Sequence, residues 1–208
     1  NAFADWTMVF LPYCTQDVFT GAGRTETFGE LDVHRYGAIN AREAMKYVRD
    51  VLWQKLDEGD GTHYRNDQLT TILSGTSAGG FGVYYNHAWV LDELGWTNTM
   101  AQPRVWLSIS AEPPFTLESL LRLKRDPWGV ADVLPTYCND GPCAEGLSFI
   151  PIHTARLDRS PFQHIMSMSS QVDTVQAGTT FHESVFKWTN LARDYYCALQ
   201  GTENINFF

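Results

Sequence analysis

One seven-residue stretch, Gly75-Thr76-Ser77-Ala78-Gly79-Gly80-Phe81, constrains this chain more than any other. It is entered from Leu69-Thr70-Thr71-Ile72-Leu73-Ser74, a β-branched and apolar run that reads as a short buried strand. Gly82 to Leu94 then reads as a helix, with Val83, Tyr84, Val90, Leu91 and Leu94 at its apolar positions. Between the two, Gly75 and Gly79 flank Ser77 in the pattern Gly-x-Ser-x-Gly. A serine at such a turn takes a strained backbone conformation that lifts its hydroxyl above the sheet. Glycines two residues to either side are expected to let strand and helix approach without Cβ clashes. The bare pattern occurs by chance; its placement between a strand and a helix gives it weight. An ordinary glycine-rich turn is the competing reading, and a nucleophilic Ser77 is preferred to it.

At 208 residues and 44% hydrophobic content, the chain is large enough to bury one sizeable core, so one domain spanning 1–208 is expected. No run approaches the roughly 18 uninterrupted apolar residues of a membrane helix. A formal charge of −9 argues against nucleic acid and against anionic membrane surfaces, which both call for basic patches. The first residue is Asn1 and no signal peptide is visible, so the sequence reads as processed or as a fragment. Cys138 and Cys143 enclose a turn and are expected to close a small disulfide loop. Zinc would need two further ligands of similar spacing, and none is found. A secreted or lumenal location is therefore expected.

The order of elements reads as α/β, a mostly parallel sheet flanked by helices. Trp6 to Leu11 is expected as a strand ended by Pro12, which leaves Asp17 just past its carboxyl end. There Asp17 would either orient a substrate hydroxyl or act as an Asx-type turn residue. Gly21 to Gly37 reads as loop. Asn40-Ala41-Arg42-Glu43 has the form of a capping box, opening a helix with Ala44, Met45, Val48, Val51, Leu52 and Leu56 on one face. Arg42, Lys46, Arg49, Asp50 and Lys55 read as its solvated side. Arg104 to Ser110 is the next expected strand, emptying into Glu112, Pro113, Pro114 and Phe115. Glu112 and Phe115 would face a site there, although prolines also simply end strands. Leu117 to Leu123 reads as a short helix, and the proline-rich 126–162 as an irregular excursion forming a pocket wall. Gln163 to Ser169 is a further strand. Thr180 opens a helix with stripe Phe181, Val185, Trp188, Leu191, Tyr195 and Leu199, and Asn204 begins a last strand.

The strand ending at Ser169 leads to Asp173. In an α/β-hydrolase the triad runs serine, acid, histidine, with the acid just after a late strand, and Asp173 meets both conditions. Its carboxylate would orient the imidazole and stabilise the imidazolium formed; a turn aspartate before a helix is the plainer alternative.

These pieces together resemble the pectin acetylesterase/Notum family of serine carboxylesterases. The resemblance is carried by Met8 to Gly21, with its Pro12-Tyr13-Cys14-Thr15-Gln16-Asp17-Val18 segment, by Ser74 to Gly82 with the doubled glycine, and by the strand ending at Val172-Asp173. It implies an α/β-hydrolase-like fold lacking its first and last segments. It implies Ser77 as nucleophile, Ala78 as an oxyanion-hole N–H and Asp173 as triad acid. It further implies no cofactor, no metal, and removal of acyl groups, O-acetyl foremost, from a polysaccharide or similar acylated substrate. In that family the other oxyanion donor precedes the first residue here, and the histidine follows the last strand. The six histidines are His34, His63, His87, His153, His164 and His182; only His182 follows Asp173, and it sits at an expected helix start. The base is therefore expected outside the chain. By the same logic Cys14 is expected to pair with a cysteine upstream, while Cys197, on the buried or half-buried side of the last helix, is expected to be free. A non-enzymatic hydrolase-fold binding module and a generic lipase or esterase are the other classes the sequence allows.

Overall fold

A computed structural model describes residues 4–58, 71–93, 105–110, 127–134, 164–170, 172–180, 184–199 and 205–207. Its central feature is a four-stranded, all-parallel sheet in the order β3-β4-β5-β6, made of β3 (Thr71–Gly75), β4 (Val105–Ser110), β5 (His164–Ser167) and β6 (Ile205–Phe207). Apolar and β-branched residues dominate these short strands, as expected of a sheet covered on its faces. Sequential strands lie side by side, so all carboxyl ends emerge on one edge. No helix among the described residues is long and apolar enough to cross a membrane. Mixed α/β is thus the class observed.

Ahead of the sheet lies an antiparallel hairpin, β1 (Arg24–Phe28) and β2 (Leu31–Arg35), within the stretch expected to be loop. The reason is local. Gly29 takes φ +62 at the first turn position, as a type II′ hairpin requires, and Thr25–His34 and Thr27–Asp32 hydrogen-bond across the strands. The hairpin is pinned by Arg35, which is buried between Phe28 and Trp128, forms an ion pair with Glu26 at 2.8 Å, and donates to the Thr15 and Gln16 carbonyls. Trp128 Nε1 donates to the same Glu26 carboxylate. Conversely, the expected first strand is absent: residues 7–14 carry no regular structure, and Met8 and Phe10 are each 86% exposed. No strand among the described residues pairs with this run.

The first helix, α1 (Gly37–Glu58), starts four residues earlier than an N-cap at Asn40 implies. Its first N–H, that of Gly37, donates to Asp17 Oδ2 at 2.8 Å. A carboxylate at a helix N-terminus satisfies an orphan donor and suits the dipole, so the remote aspartate sets the start rather than Asn40. Ala41 and Met45 pack with Val90 in the core, joined by Leu11, Phe19, Leu73 and Trp89. Arg42 departs from the solvated-face expectation: its guanidinium lies over Trp89 and donates to Asn86 Oδ1 and the Val133 carbonyl.

The next helix, α2 (Ala78–Glu93), packs against β3 and β4. Residues 81–87 are all buried, the pattern of a helix enclosed on every side. The last helix, α3 (Val185–Leu199), begins behind Ser184, whose hydroxyl accepts the Lys187 N–H; Thr180 instead closes a π-helical turn, Gln176–Thr180. Trp188 and Ala192 pack on Ala177, and Tyr195 is buried as its stripe predicts. Cys197 is free but exposed, because its position on α3 falls outside that stripe; Cys14 is also free and exposed. Cys138, Cys143, Glu112, Phe115, His182 and the expected helix at 117–123 lie outside the described residues.

Candidate active site

Ser77 occupies the two-residue link between the end of β3 and the start of α2, at the carboxyl edge of the sheet. Its φ is +57, a left-handed conformation that costs an L-residue about 1–2 kcal/mol. The side chain is exposed. Two features hold the turn closed. The Gly79 N–H donates to the Thr76 carbonyl at 3.0 Å, and the Phe81 N–H donates to the Ser77 carbonyl at 3.2 Å. Strand and helix meet so closely that a Cβ on Gly75 would lie 2.1 Å from the Gly79 carbonyl oxygen. Among the described residues, a Cβ on Gly79 would meet nothing within 4 Å. The two glycines of the motif therefore differ: Gly75 is required by contact, Gly79 is not. Ala78 opens α2, so its N–H belongs to the first turn, where no intrahelical acceptor exists.

Asp173 follows β5, two strands along from β3, on the same edge. Neighbouring strands are about 4.8 Å apart, which sets the roots of the two loops roughly 10 Å from each other. Asp173 is half-buried. Its Oδ1 accepts the Gln176 N–H at 2.8 Å and its carbonyl accepts the Ala177 N–H, so it caps the turn that leads toward α3. The turn role and an orienting role are compatible, since the cap engages one of two carboxylate oxygens.

Asp17 is elsewhere engaged. It is fully buried, with Oδ1 accepting the Thr15 hydroxyl and the Phe19 N–H, and Oδ2 accepting the Gly37 N–H. Cβ atoms on Gly21 or Gly37 would collide with this carboxylate. Of its two sequence-based readings, this arrangement is that of the turn residue. The loop it organises places Gln16, Val18 and Phe19 at positive φ. It also braces the elbow helix: Phe19 packs on Gly82, and its carbonyl accepts Asn86 Nδ2 at 2.9 Å.

None of the described histidines stands on the carboxyl edge. His34 lies in the hairpin and His164 opens β5 at its amino end. His87 is buried in α2, where loss of solvent pushes its imidazole down to about 4 and keeps it neutral. Among the described residues, no group of three or more His, Cys, Asp or Glu could hold a metal ion.

Sequence reasoning missed one polar link beneath this edge. Tyr84 of α2 donates its hydroxyl to Ser167, the last residue of β5, at 2.7 Å, and both are buried. Only periodicity hinted at it, since Tyr84 falls among the inward positions of α2.

No family model matches the chain. Two relatives do. Palmitoleoyl-protein carboxylesterase notum1a of Danio rerio is 35% identical over 94 residues, 44% of this chain. Palmitoleoyl-protein carboxylesterase notum1 of Xenopus laevis is 34% identical over 93 residues, 43% of this chain. The match spans 16% of each relative's length. The likeness to Notum carboxylesterases is therefore partial and distant.

Proposed function

We propose that this chain carries the nucleophile and the acid of a serine carboxylesterase, as part of one α/β-hydrolase domain. The observation that supports this most is Ser77, an exposed serine at φ +57 between a parallel strand and a buried helix. A strained, exposed serine at the carboxyl edge of such a sheet is the geometry a nucleophile needs, because neither neighbour can shield its hydroxyl. In this reading Ser77 attacks the ester carbonyl. The Ala78 N–H, at the positive end of α2, stabilises the oxyanion that forms. Asp173 orients the imidazole that takes the Ser77 proton, using the oxygen its cap leaves over. That imidazole comes from a segment following β6, the strand beside β5, in the order serine, acid, histidine. No cofactor enters this chemistry.

The substrate is an acyl ester. The relatives are named for a palmitoleoyl-protein ester; an O-acetylated sugar is the substrate the sequence favoured. Secretion fits either. Ser77→Ala in the full-length protein is expected to lower turnover of an activated acetate ester by up to about 10⁶-fold with an unchanged melting temperature. Undiminished hydrolysis would end the proposal.

A further inference from the structure

We infer that the buried hydroxyl pair Tyr84–Ser167 is a positioning device, holding the helix that follows Ser77 in register with the strand that leads to Asp173. The inference rests on the esterase reading above.

Its geometry starts from the sheet order. Strand β4 lies between β3 and β5, and α2 packs against β3 and β4. That packing reaches β5 only through its ladder with β4. Tyr84, about two turns into α2 from Ser77, reaches past β4 to Ser167, where its hydroxyl donates at 2.7 Å. Ser167 is the final residue of β5, immediately before the segment that carries Asp173. Tyr196 of α3 lies 3.5 Å from the same Ser167 oxygen, so three elements converge on one hydroxyl.

The residue types matter. Tyr84 and Ser167 are 3% and 1% exposed, and burying two hydroxyls costs desolvation that a phenylalanine–alanine pair would avoid. What the polar pair adds is direction: a hydrogen bond has a preferred length and angle, and apolar contact has neither. Tyr195 of α3 is also buried close to this pair.

The test uses the full-length protein and p-nitrophenyl acetate, with active sites counted by fluorophosphonate titration so that only folded enzyme is scored. Tyr84→Phe and Ser167→Ala are each expected to lower kcat per active site by about fivefold to tenfold, with KM within about twofold. The double variant should fall no further than either single one. Ser167→Thr, which keeps the hydroxyl, should recover most of the loss. Unchanged kcat per site in both single variants, with or without a lower Tm, would reduce the pair to packing and overturn the inference. Multiplicative losses in the double variant would also overturn it. If the unaltered protein neither hydrolyses the ester nor takes the fluorophosphonate at Ser77, the esterase reading fails, and this inference fails with it. If it does both while the variants match it, only this inference fails.

Discussion

Replacing Gly75 by alanine tests the elbow at its tightest point. The added Cβ would lie 2.1 Å from the Gly79 carbonyl oxygen, 2.2 Å from its carbonyl carbon and 2.9 Å from the Gly80 nitrogen. Every one of these atoms is backbone in the first turn of α2, so no side chain can swing aside. Real Cβ atoms essentially never come within 3.0 Å of such neighbours, so β3 and α2 must part by about 1 Å. Overpacking a core costs about 1–3 kcal/mol, and a clash that backbone alone must absorb belongs at the upper end. For a domain of this size, about 3 kcal/mol lowers Tm by about 6–12 °C. Turnover should suffer too, since Ser77 sits between the displaced parts, and a 1 Å misplacement costs about 10²-fold. Gly79→Ala is the control. Its Cβ meets nothing within 4 Å among the described residues, so the variant should keep its stability or gain up to about 1 kcal/mol. Thermal melts, urea titrations and ester assays of the two variants decide the matter. Equal damage from both, or none from Gly75→Ala, would refute the argument.

Ser77→Gly should be more stable than Ser77→Ala, because glycine alone relieves the φ of +57, a gain of about 1–2 kcal/mol partly offset by glycine's greater freedom when unfolded; an alanine variant as stable as the glycine one would contradict the strained turn. His87 titrates near 4 when folded and near 6.5 when unfolded, so the unfolded chain binds the extra proton between these values. Stability should therefore be full above about pH 6.5 and fall by about 3 kcal/mol on acidification to pH 4, a loss that His87→Gln removes in urea melts at the two pH values. Asp17→Ala strands the Gly37 and Phe19 N–H groups and the Thr15 hydroxyl, and should cost about 3 kcal/mol in the same melts while Asn40→Ala costs little; the reverse ranking would restore Asn40 as the start of α1.

Near-neighbour chemistry was legible in the sequence. The strand, turn and helix around Ser77 follow from a β-branched run, a glycine-flanked serine and an apolar helical pattern, all within about 25 residues. The late strands were likewise found within a residue or two, and with them the position of Asp173 after β5. The hairpin was not read from the sequence: its polar strands lie in a stretch rich in glycine, threonine and charge that reads as loop. What the sequence could not settle is what depends on residues far apart in the chain. Which of two glycines is tight depends on how closely α2 folds back on β3. The start of α1 is set by a carboxylate twenty residues upstream, which outcompetes a well-formed local cap. Arg42 is drawn from solvent by Trp89, Asn86 and the Val133 carbonyl, partners up to 91 residues away. Residues 6–11 have strand-like composition without strand structure, because a strand exists only where another pairs with it. Tyr84 and Ser167 meet across 83 residues. Propensity and periodicity act over a turn or two of chain, whereas these contacts exist only once the sheet has assembled and brought its distant edges together.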